Sequence, residues 1–286
     1  MAKNYYSLVA GLPDILLGDK KTTFGSVSLL NQLKDELVPL DYLLAKSLYL
    51  PFDHTNYLNK KYGSAADFDE RGVYSEEDIE KLLSKRTIDT LDEQDFPLYL
   101  IELAEELERQ DSLNRSEAEV KLTQAYHDYM LSFNNAFISN YMSFKRNMKN
   151  VFIALHGRKY GVDVYHEFVI GSGVIVEALR KSRARDFGLA GEIERLDGML
   201  KLFEETDLQN RGFKIDQLKW DYIEEISFFN YFTIEKVLGF ILKLFMVERW
   251  MKLSAEEGRK LFERLLQDLD SKYEFPEEFK LGNGKK

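Results

Sequence analysis

The sequence predicts an all-α, elongated multi-helix protein, and two features of its composition favour that fold. Only five prolines occur, and none lies between residues 98 and 275. Because proline breaks helix interiors, this gap permits a nearly uninterrupted series of helices. Runs of Val and Thr that alternate with polar residues are scarce, which argues against a large sheet. We therefore expect a single all-helical domain over residues 1–286.

Apolar spacing divides the chain into elements. The first segment, NYYSLVAGL, favours a short strand because its Tyr-Tyr and Leu-Val pairs suit an extended chain. Residues 62–74 (YGSAADFDERGVY) predict a loop, and the tail EFPEEFKLGNGKK is expected to fray. Besides a long central helix, helices are predicted over residues 26–37, 39–50, 76–86, 97–110, 173–183, 188–204, 215–231, 233–252 and 255–271.

Capping boxes predict where helices start, because a Ser side chain and an acidic side chain three residues later each bind a free backbone N–H group. The candidates are Ser75 with Asp78, Ser116 with Glu119, and Ser254 with Glu257. After Ser116, apolar residues recur at steps of two to four as far as Gly161. At about 1.5 Å per residue this central helix would be ~65 Å long, unless the Asn and Ser residues of SFNNAFISN break it.

The chain contains a faint internal repetition. The segments NYLNKKYG at Asn56 and NVFIALHGRKYG at Asn150 both run from Asn through apolar residues to Lys-Tyr-Gly, whereas NYFTIEKVLGF at Asn230 shares only the start. These segments define candidate repeats around residues 26–63, 117–161 and 215–252. A threefold duplication and a coincidence are both open interpretations.

The acidic balance and the lack of cysteine exclude several classes of protein. A net charge of −10 disfavours nucleic acid as a partner, because nucleic-acid-binding proteins need a large basic face. The absence of Cys excludes disulfides, iron–sulfur clusters and a cysteine nucleophile, and it fits a reducing cytosol. No signal peptide is expected. The most apolar stretch, residues 237–247, is shorter than the roughly 20 residues of a membrane span.

No catalytic, cofactor-binding or metal-binding motif is found, so no such residue is predicted. Gly171-Ser172-Gly173 lacks the Lys and hydroxyl of a phosphate loop, and it instead predicts a turn in which Ser172 caps the next helix. The four histidines lack the spacing of zinc or di-iron motifs. The acids between Glu102 and Asp111 accompany a leucine stripe and predict a solvated helix face.

Two groups of basic residues are candidates for contact with partners. The candidates in the first group, which also contains Lys145, are Arg146, Lys149, Arg158 and Lys159, and those in the second group are Arg180 and Arg183. They lie toward expected helix ends, where cations also complement the helix dipole. Dipole compensation with solubility is one interpretation, and contact with an acidic partner surface is the other. Residues 220–232, WDYIEEISFFNYF, hold more aromatic side chains than one buried face needs, so part of this stretch is a candidate interface.

Residues 145–189, KRNMKNVFIALHGRKYGVDVYHEFVIGSGVIVEALRKSRARDFGL, resemble a passage in the C subunit of V/A-type rotary ATPases, called d in eukaryotic complexes. In that passage an apolar helix with an Asn ends in a basic residue and a glycine, and a glycine turn leads into the next helix. Asn150, Gly161, Gly171 and Gly173 occupy the matching positions. The start, YYSLVAGLPD, is similar to a poorly characterised bacterial family associated with such ATPases.

The resemblance implies three similar helical units in a funnel-like arrangement, without catalytic residues or cofactors. It implies a non-catalytic coupling subunit that links the central stalk to the proteolipid rotor ring in ion or proton transport. Its location would be cytoplasmic and peripheral to the inner face of the membrane, through its partners only. Two alternatives stay open: a helical metalloenzyme with a carboxylate-lined site, and a free-standing helical adaptor protein.

Overall fold

The computed structural model describes residues 3–22, 24–109, 113–171 and 173–272, and this part of the chain is all-α, as predicted. It contains no named strand, and its one β-type contact is an isolated bridge between Ala190 and Ile193. The α-helices of the described residues are α1 (Tyr6–Gly11), α2 (Ser26–Glu36), α3 (Pro39–Ser47), α4 (Leu50–Lys61), α5 (Glu76–Leu83), α6 (Leu98–Arg109), α7 (Arg115–Ser132), α8 (Ala136–Tyr160), α9 (Gly173–Lys181), α10 (Leu196–Glu204), α11 (Leu208–Ser227) and α12 (Ile234–Lys272).

The predicted N-terminal strand is wrong, because this segment forms α1. The helical conformation buries Leu8, and just before the helix the Tyr5 N–H donates to the Phe232 carbonyl at 2.6 Å. Tertiary burial therefore overrides the modest β preference of Tyr and Val.

Two prolines start successive helices: α3, which occupies most of the helix predicted over residues 39–50, and α4, which follows it. Pro39 and Pro51 each lie in the first turn of a helix, where the missing N–H group needs no partner. Pro51 therefore belongs to the start of α4, a helix that the apolar spacing did not predict. The loop predicted over residues 62–74 is confirmed.

The long central helix breaks within SFNNAFISN, which was one of the two outcomes expected there. Asn134 has a φ of 51°, a left-handed conformation that Asn tolerates better than most residues. Asn135 then caps α8 by accepting a hydrogen bond from the Ile138 N–H at 3.1 Å. The chain therefore folds back as an α7–α8 hairpin instead of a single rod.

The predicted capping boxes have mixed outcomes. Ser75 and Asp78 form the box at α5. At α7 the box consists of Asn114 and Glu117, so the prediction for Ser116 was wrong by two residues. Ser254 lies inside α12, so the predicted helices over residues 233–252 and 255–271 are one helix.

Residues with a left-handed backbone conformation precede α10, which therefore begins at Leu196 instead of the predicted residue 188. Gly188, Gly191 and Arg195 have φ angles of 72°, 90° and 58°, and such residues interrupt a helix. α11 begins earlier than predicted because the Asp207 side chain accepts hydrogen bonds from the N–H groups of Gln209 and Asn210 in its first turn. Ser172, the predicted cap of α9, and the tail over residues 274–286 lie outside the described residues.

The helices pack around two hydrophobic clusters. α4, α5, α6 and α7 enclose the smaller one, which includes Tyr57, Ile79, Leu100 and Leu122. The larger cluster is shared by α2, α3, α8, α10, α11 and α12. α12 has 39 residues and contacts α2, α3 and α11. At about 1.5 Å per residue it is ~58 Å long.

Two buried asparagines fix the loops that follow their helices. On α4, Asn56 accepts from the Asp69 N–H at 2.8 Å and donates to the Asp69 carbonyl at 3.0 Å. On α8, Asn150 makes the same two bonds with Val169, at 3.0 and 2.8 Å. Both asparagines are 1% exposed. We call these pairs the asparagine clamps, since one amide satisfies both backbone groups of a loop residue.

The third asparagine of the candidate repeat behaves differently. Asn230 lies in the turn between α11 and α12, where its own N–H donates to the Ser227 carbonyl at 3.0 Å. α11 and α12 are joined instead through Asp216, a buried carboxylate that accepts from the Trp250 indole at 3.0 Å and from Arg249 at 2.5 Å. The asparagine clamp is therefore shared by the units around Asn56 and Asn150.

A buried aspartate also binds the backbone of the loop that follows α4. Asp53, less than one turn before Asn56, accepts from the N–H groups of Val73 and Tyr74 at 2.9 and 3.0 Å. Burial raises its pKa to about 7, although both backbone bonds oppose the shift. A Cβ at Gly72 would lie 2.3 Å from Asp53 Oδ1, so this close approach requires glycine.

Replacing Asn150 by leucine is expected to lower the free energy of unfolding by about 2–4 kcal/mol, because two buried backbone groups of Val169 lose their partner. Urea denaturation of Asn150→Leu measures the change. The control is Asn140→Leu at an exposed position of the same helix, where a change within about 0.5 kcal/mol is expected. Equal losses in the two variants would contradict the clamp.

The buried imidazole of His54 predicts sensitivity to acid. Its Nε2 lies 2.7 Å from the Tyr99 hydroxyl, and burial, together with the charge of Lys145, lowers its pKa from 6.5 to about 3. Between these two pH values the unfolded chain binds a proton that the folded chain does not. The stabilising contribution of neutral His54 is therefore complete above pH 6.5 and is lost as the pH falls toward 3.

The test compares chemical denaturation near pH 7 and about pH 4. Wild type is expected to lose about 2–3 kcal/mol more than His54→Gln over this interval. His156→Gln, at an exposed position of α8, is the control and should follow wild type. An identical pH dependence in all three proteins would show that His54 is not the sensitive group.

Candidate functional site

One end of the molecule exposes a cluster of large apolar side chains around the α11–α12 turn. Phe228 and Phe229 are 61% and 83% exposed, and their rings contact each other. Tyr6 packs on Phe232 with ring centroids 4.7 Å apart, which joins α1 to this turn. The exposed members of this surface, which we call the apolar end, are Tyr6, Leu40, Phe228, Phe229, Tyr231 and Phe232.

The chain segments around the apolar end contain no charged residues. Residues 4–13, 37–40, 129–144 and 226–234 contain no Asp, Glu, Lys or Arg, although 31% of the chain is charged. The structure brings these segments together. Tyr5 donates its N–H to the Phe232 carbonyl, and its hydroxyl accepts from the Val38 N–H at 3.4 Å. Asn135 of the α7–α8 turn donates to Glu235, the residue after the fourth segment, at 2.9 Å. Apolar surface depleted of charge and rich in Phe and Tyr is typical of the centre of a protein interface.

Three of the six predicted basic contact residues meet at one cavity. Arg158, at the end of α8, and Arg180 and Arg183, at and after the end of α9, line a cavity of about 430 Å³. Lys181 and Asp163 also line it. The sequence placed Arg158 in a different group from Arg180, so the fold has regrouped these cations.

The three arginines of this basic cavity differ in how far they are already engaged. Arg158 donates to the carbonyls of Ser182 and Ala184 at 2.5 and 2.8 Å, and its guanidinium lies 3.7 Å from the centre of the Phe187 ring. The Arg180 guanidinium lies 4.2 Å from the centre of the Tyr165 ring. Arg183 is exposed and has no hydrogen bond or ion pair within the described part of the chain. Arg158 therefore stabilises the loop, and Arg183 is available to a partner.

Arg146 and Lys149 lie in the middle of α8, so their predicted position toward a helix end is wrong. The break at residues 133–135 and the end at Tyr160 put both residues more than two turns from either end of the helix. The dipole effect falls off within one turn and does not explain them. Burial lowers the pKa of both side chains. A Cβ at Gly171 would lie 2.2 Å from Arg146 Cζ, so Arg146 packs against the glycine turn.

Two further lysines, Lys145 and Lys159, belong to the first basic group. Lys145 reaches solvent, yet burial among the surrounding helices and the charges of Lys219 and Lys149 lower its pKa to about 8. Lys159 is exposed in the last turn of α8, where a cation complements the helix dipole, and its ammonium lies 5.6 Å from the centre of the Phe203 ring.

Three of the four acids of α6 are paired with cations. Glu105 pairs with Arg109 at 2.6 Å and Glu108 pairs with Lys61 at 2.9 Å. Among the described residues, no group of three or more His, Asp or Glu side chains could hold a metal ion. No helix of that same part of the chain has the length and apolar character to cross a bilayer. The surfaces that stand out are suited to binding, and the buried carboxylates of Asp53 and Asp216 accept structural hydrogen bonds.

The aromatic turn was predicted as a candidate interface from the sequence, but its neighbours at the apolar end, Tyr6 and Leu40, were not. Both lie far from residue 228 along the chain, and only tertiary packing brings them together. The four uncharged segments were the available signal, because they are unusual in a chain of this charge content.

A family model described as "Protein of unknown function (DUF2764)" matches residues 1–273. No curated protein and no solved structure matches the chain. The match spans every residue of the apolar end and of the basic cavity.

The engagement of Arg158 predicts that its loss affects folding more than the loss of Arg183. Arg158→Ala removes two hydrogen bonds to carbonyls and the contact with Phe187, so the free energy of unfolding should fall by about 1–2 kcal/mol. Arg183→Ala should change it by less than about 0.5 kcal/mol. Thermal or urea unfolding measures both. A larger loss in Arg183→Ala would contradict these assignments.

Proposed function

The chain belongs to the DUF2764 family of proteins of unknown function, and we propose that it is a non-catalytic coupling subunit of a V/A-type rotary ATPase. In this role it would link the central stalk to the membrane rotor ring in ion transport. The apolar end carries the proposal, because an uncharged aromatic surface on a helical body is suited to holding another protein.

The asparagine clamps support the same proposal. Asn56 and Asn150 make matching bonds to the loop after their helix, and they lie on helices that the faint internal repetition had paired. The resemblance over residues 145–189 implies similar helical units in such a subunit, and Asn150 is one of the residues that carry it. A shared structural device in two units is the kind of feature that duplicated units would retain.

α12 supports a mechanical mechanism. It begins at Ile234, two residues after Phe232 of the apolar end, and continues for ~58 Å at about 1.5 Å per residue. Val237, Ile241 and Leu244 are fully buried along one face, which fixes the helix to the body. A load applied at the apolar end would therefore pass into the packed helices instead of bending a free segment.

The two surfaces would serve different partners. The apolar end, which lacks charge, would meet the membrane rotor ring, and the basic cavity with Arg183 would meet acidic side chains of the central stalk. This arrangement would hold the protein at the inner face of the membrane through its partners only. Torque would pass between ring and stalk through the protein without any reaction within it.

Affinity capture tests the proposal directly. The tagged full-length chain is expressed in its own cells, membranes are solubilised with detergent, and captured proteins are identified by mass spectrometry. Recovery of stalk and ring subunits of the ATPase in fixed ratio is expected. Recovery of other proteins without any ATPase subunit would contradict the proposal and favour an adaptor with another partner.

A double substitution at the apolar end is expected to separate the two contacts. Phe228→Ser with Phe229→Ser should lower recovery of ring subunits at least about tenfold, since two exposed aromatic contacts are lost, and should leave stalk subunits bound. The free energy of unfolding should change little because both rings are exposed. The control is Leu16→Ser with Leu208→Ser, two similarly exposed apolar residues elsewhere. Equal effects of the two double variants would contradict the assignment.

A further inference from the structure

A second surface is a groove between α6, α7 and the segment over residues 165–170. Its volume is about 530 Å³. α6 contributes Tyr99, Glu102, Leu103 and Glu106, which share one face at helical spacing, and α7 contributes a second such face from Val120 to Asp128. Eight residues of α6 at about 1.5 Å each give the groove a length of ~12 Å, which is about two helical turns.

The floor of this groove is apolar and part of its rim is apolar as well. Leu103, Phe168 and Val176 are buried and form the floor. Ile170 stands on the rim and is 64% exposed, and Tyr165 is exposed beside it. Binding of an apolar ligand here is favourable, because the exposed apolar side chains and the apolar floor would leave water together with the ligand's apolar surface.

The third wall of the groove is held in place before any partner arrives. Gln124 of α7 accepts from the Ile170 N–H at 2.6 Å and donates to the Ile170 carbonyl at 3.2 Å. The asparagine clamp at Asn150 holds the preceding residue, Val169. Two successive loop residues are thus fixed through their backbones. A preformed wall reduces the entropy lost on binding.

The charges around the groove indicate the sign of the charge that a partner would carry. Glu102 and Asp128 are exposed at its edges and have no ion pair within the described residues. The third acid, Glu106, is paired with Lys121, the single lysine of the lining. His166 also lines the groove, and its Nε2 lies 4.0 Å from Glu167 Oε1. The unpaired charges are therefore negative and lie beside an apolar floor.

We propose that this groove binds a basic amphipathic helix of another protein. The adjoining faces of α6 and α7 form a trough in which a third helix lays its apolar side, with anchors at positions i, i+3 or i+4, and i+7. Lysine or arginine residues flanking those anchors would meet Glu102 and Asp128. The inference goes beyond the proposed function and does not depend on it, since it concerns a different surface and can be tested without the ATPase.

The probe is a synthetic peptide of about 18 residues, with leucines on one helical face and lysines on the other. A second peptide has the same composition in an order that gives no apolar face. The chain lacks cysteine, so Ile170→Cys provides a single site for a fluorophore at the rim, and Val27→Cys, exposed on α2, provides a remote site. Saturable change of the signal at residue 170 is expected with the amphipathic peptide only, and none at residue 27.

Charge reversal tests the recognition itself. Glu102→Lys with Asp128→Lys should weaken binding of the amphipathic peptide roughly tenfold or more. The control, Asp67→Lys with Glu192→Lys, changes the net charge by the same amount at exposed positions outside the groove. It should weaken binding by no more than about twofold, because distant surface charges are screened.

Several outcomes would overturn the proposal. They are equal binding of the two peptides, equal weakening by the two double variants, and the absence of a saturable signal at residue 170. A photo-crosslink from residue 170 to residues 273–286 of the same chain would make that tail the occupant and would also overturn it. Failure of ATPase capture, by contrast, would leave this peptide binding unchanged.

Discussion

Side-chain amides that bind both backbone groups of a loop residue are the constraint on which the rest of the structure depends. Asn56, Asn150 and Gln124 each make this pair of bonds, with Asp69, Val169 and Ile170. A loop residue packed against helices would otherwise leave an N–H and a carbonyl without partners, at a cost of about 1–3 kcal/mol for each group. The amides remove this cost and let irregular segments become fixed walls between helices.

The loop after α8, residues 162–170, contributes to two surfaces, and both follow from that constraint. Residues 162–168 line the basic cavity, and residues 165–170 line the groove, so one clamped segment separates an electropositive surface from one with unpaired carboxylates. The apolar end is built differently, from four uncharged segments that meet where α12 begins. The molecule therefore offers three chemically distinct surfaces on one packed set of helices. This division agrees with a protein that holds several neighbours at once.

The fold class could be predicted because proline distribution and apolar spacing act along the whole chain. The break near Asn134 was also accessible, since Asn tolerates the left-handed conformation that a tight turn between helices needs. The exact start of a helix could not be predicted, because Asn114 and Ser116 offer nearly equivalent caps and tertiary packing selects between them. The groove and the basic cavity were inaccessible for a stronger reason. Gln124 and Ile170 are 46 residues apart, and no local rule relates them.

Hydrogen exchange of individual backbone amides tests the central role of the clamps most directly. The Asp69 and Val169 amides lie in loops, yet each donates to a buried asparagine oxygen, at 2.8 and 3.0 Å. The account predicts that both exchange as slowly as amides inside α4 and α8, because opening them requires the packed helices to separate. Exchange of these two amides at the rate of exposed neighbours, such as Ala66 and Asp163, would contradict it.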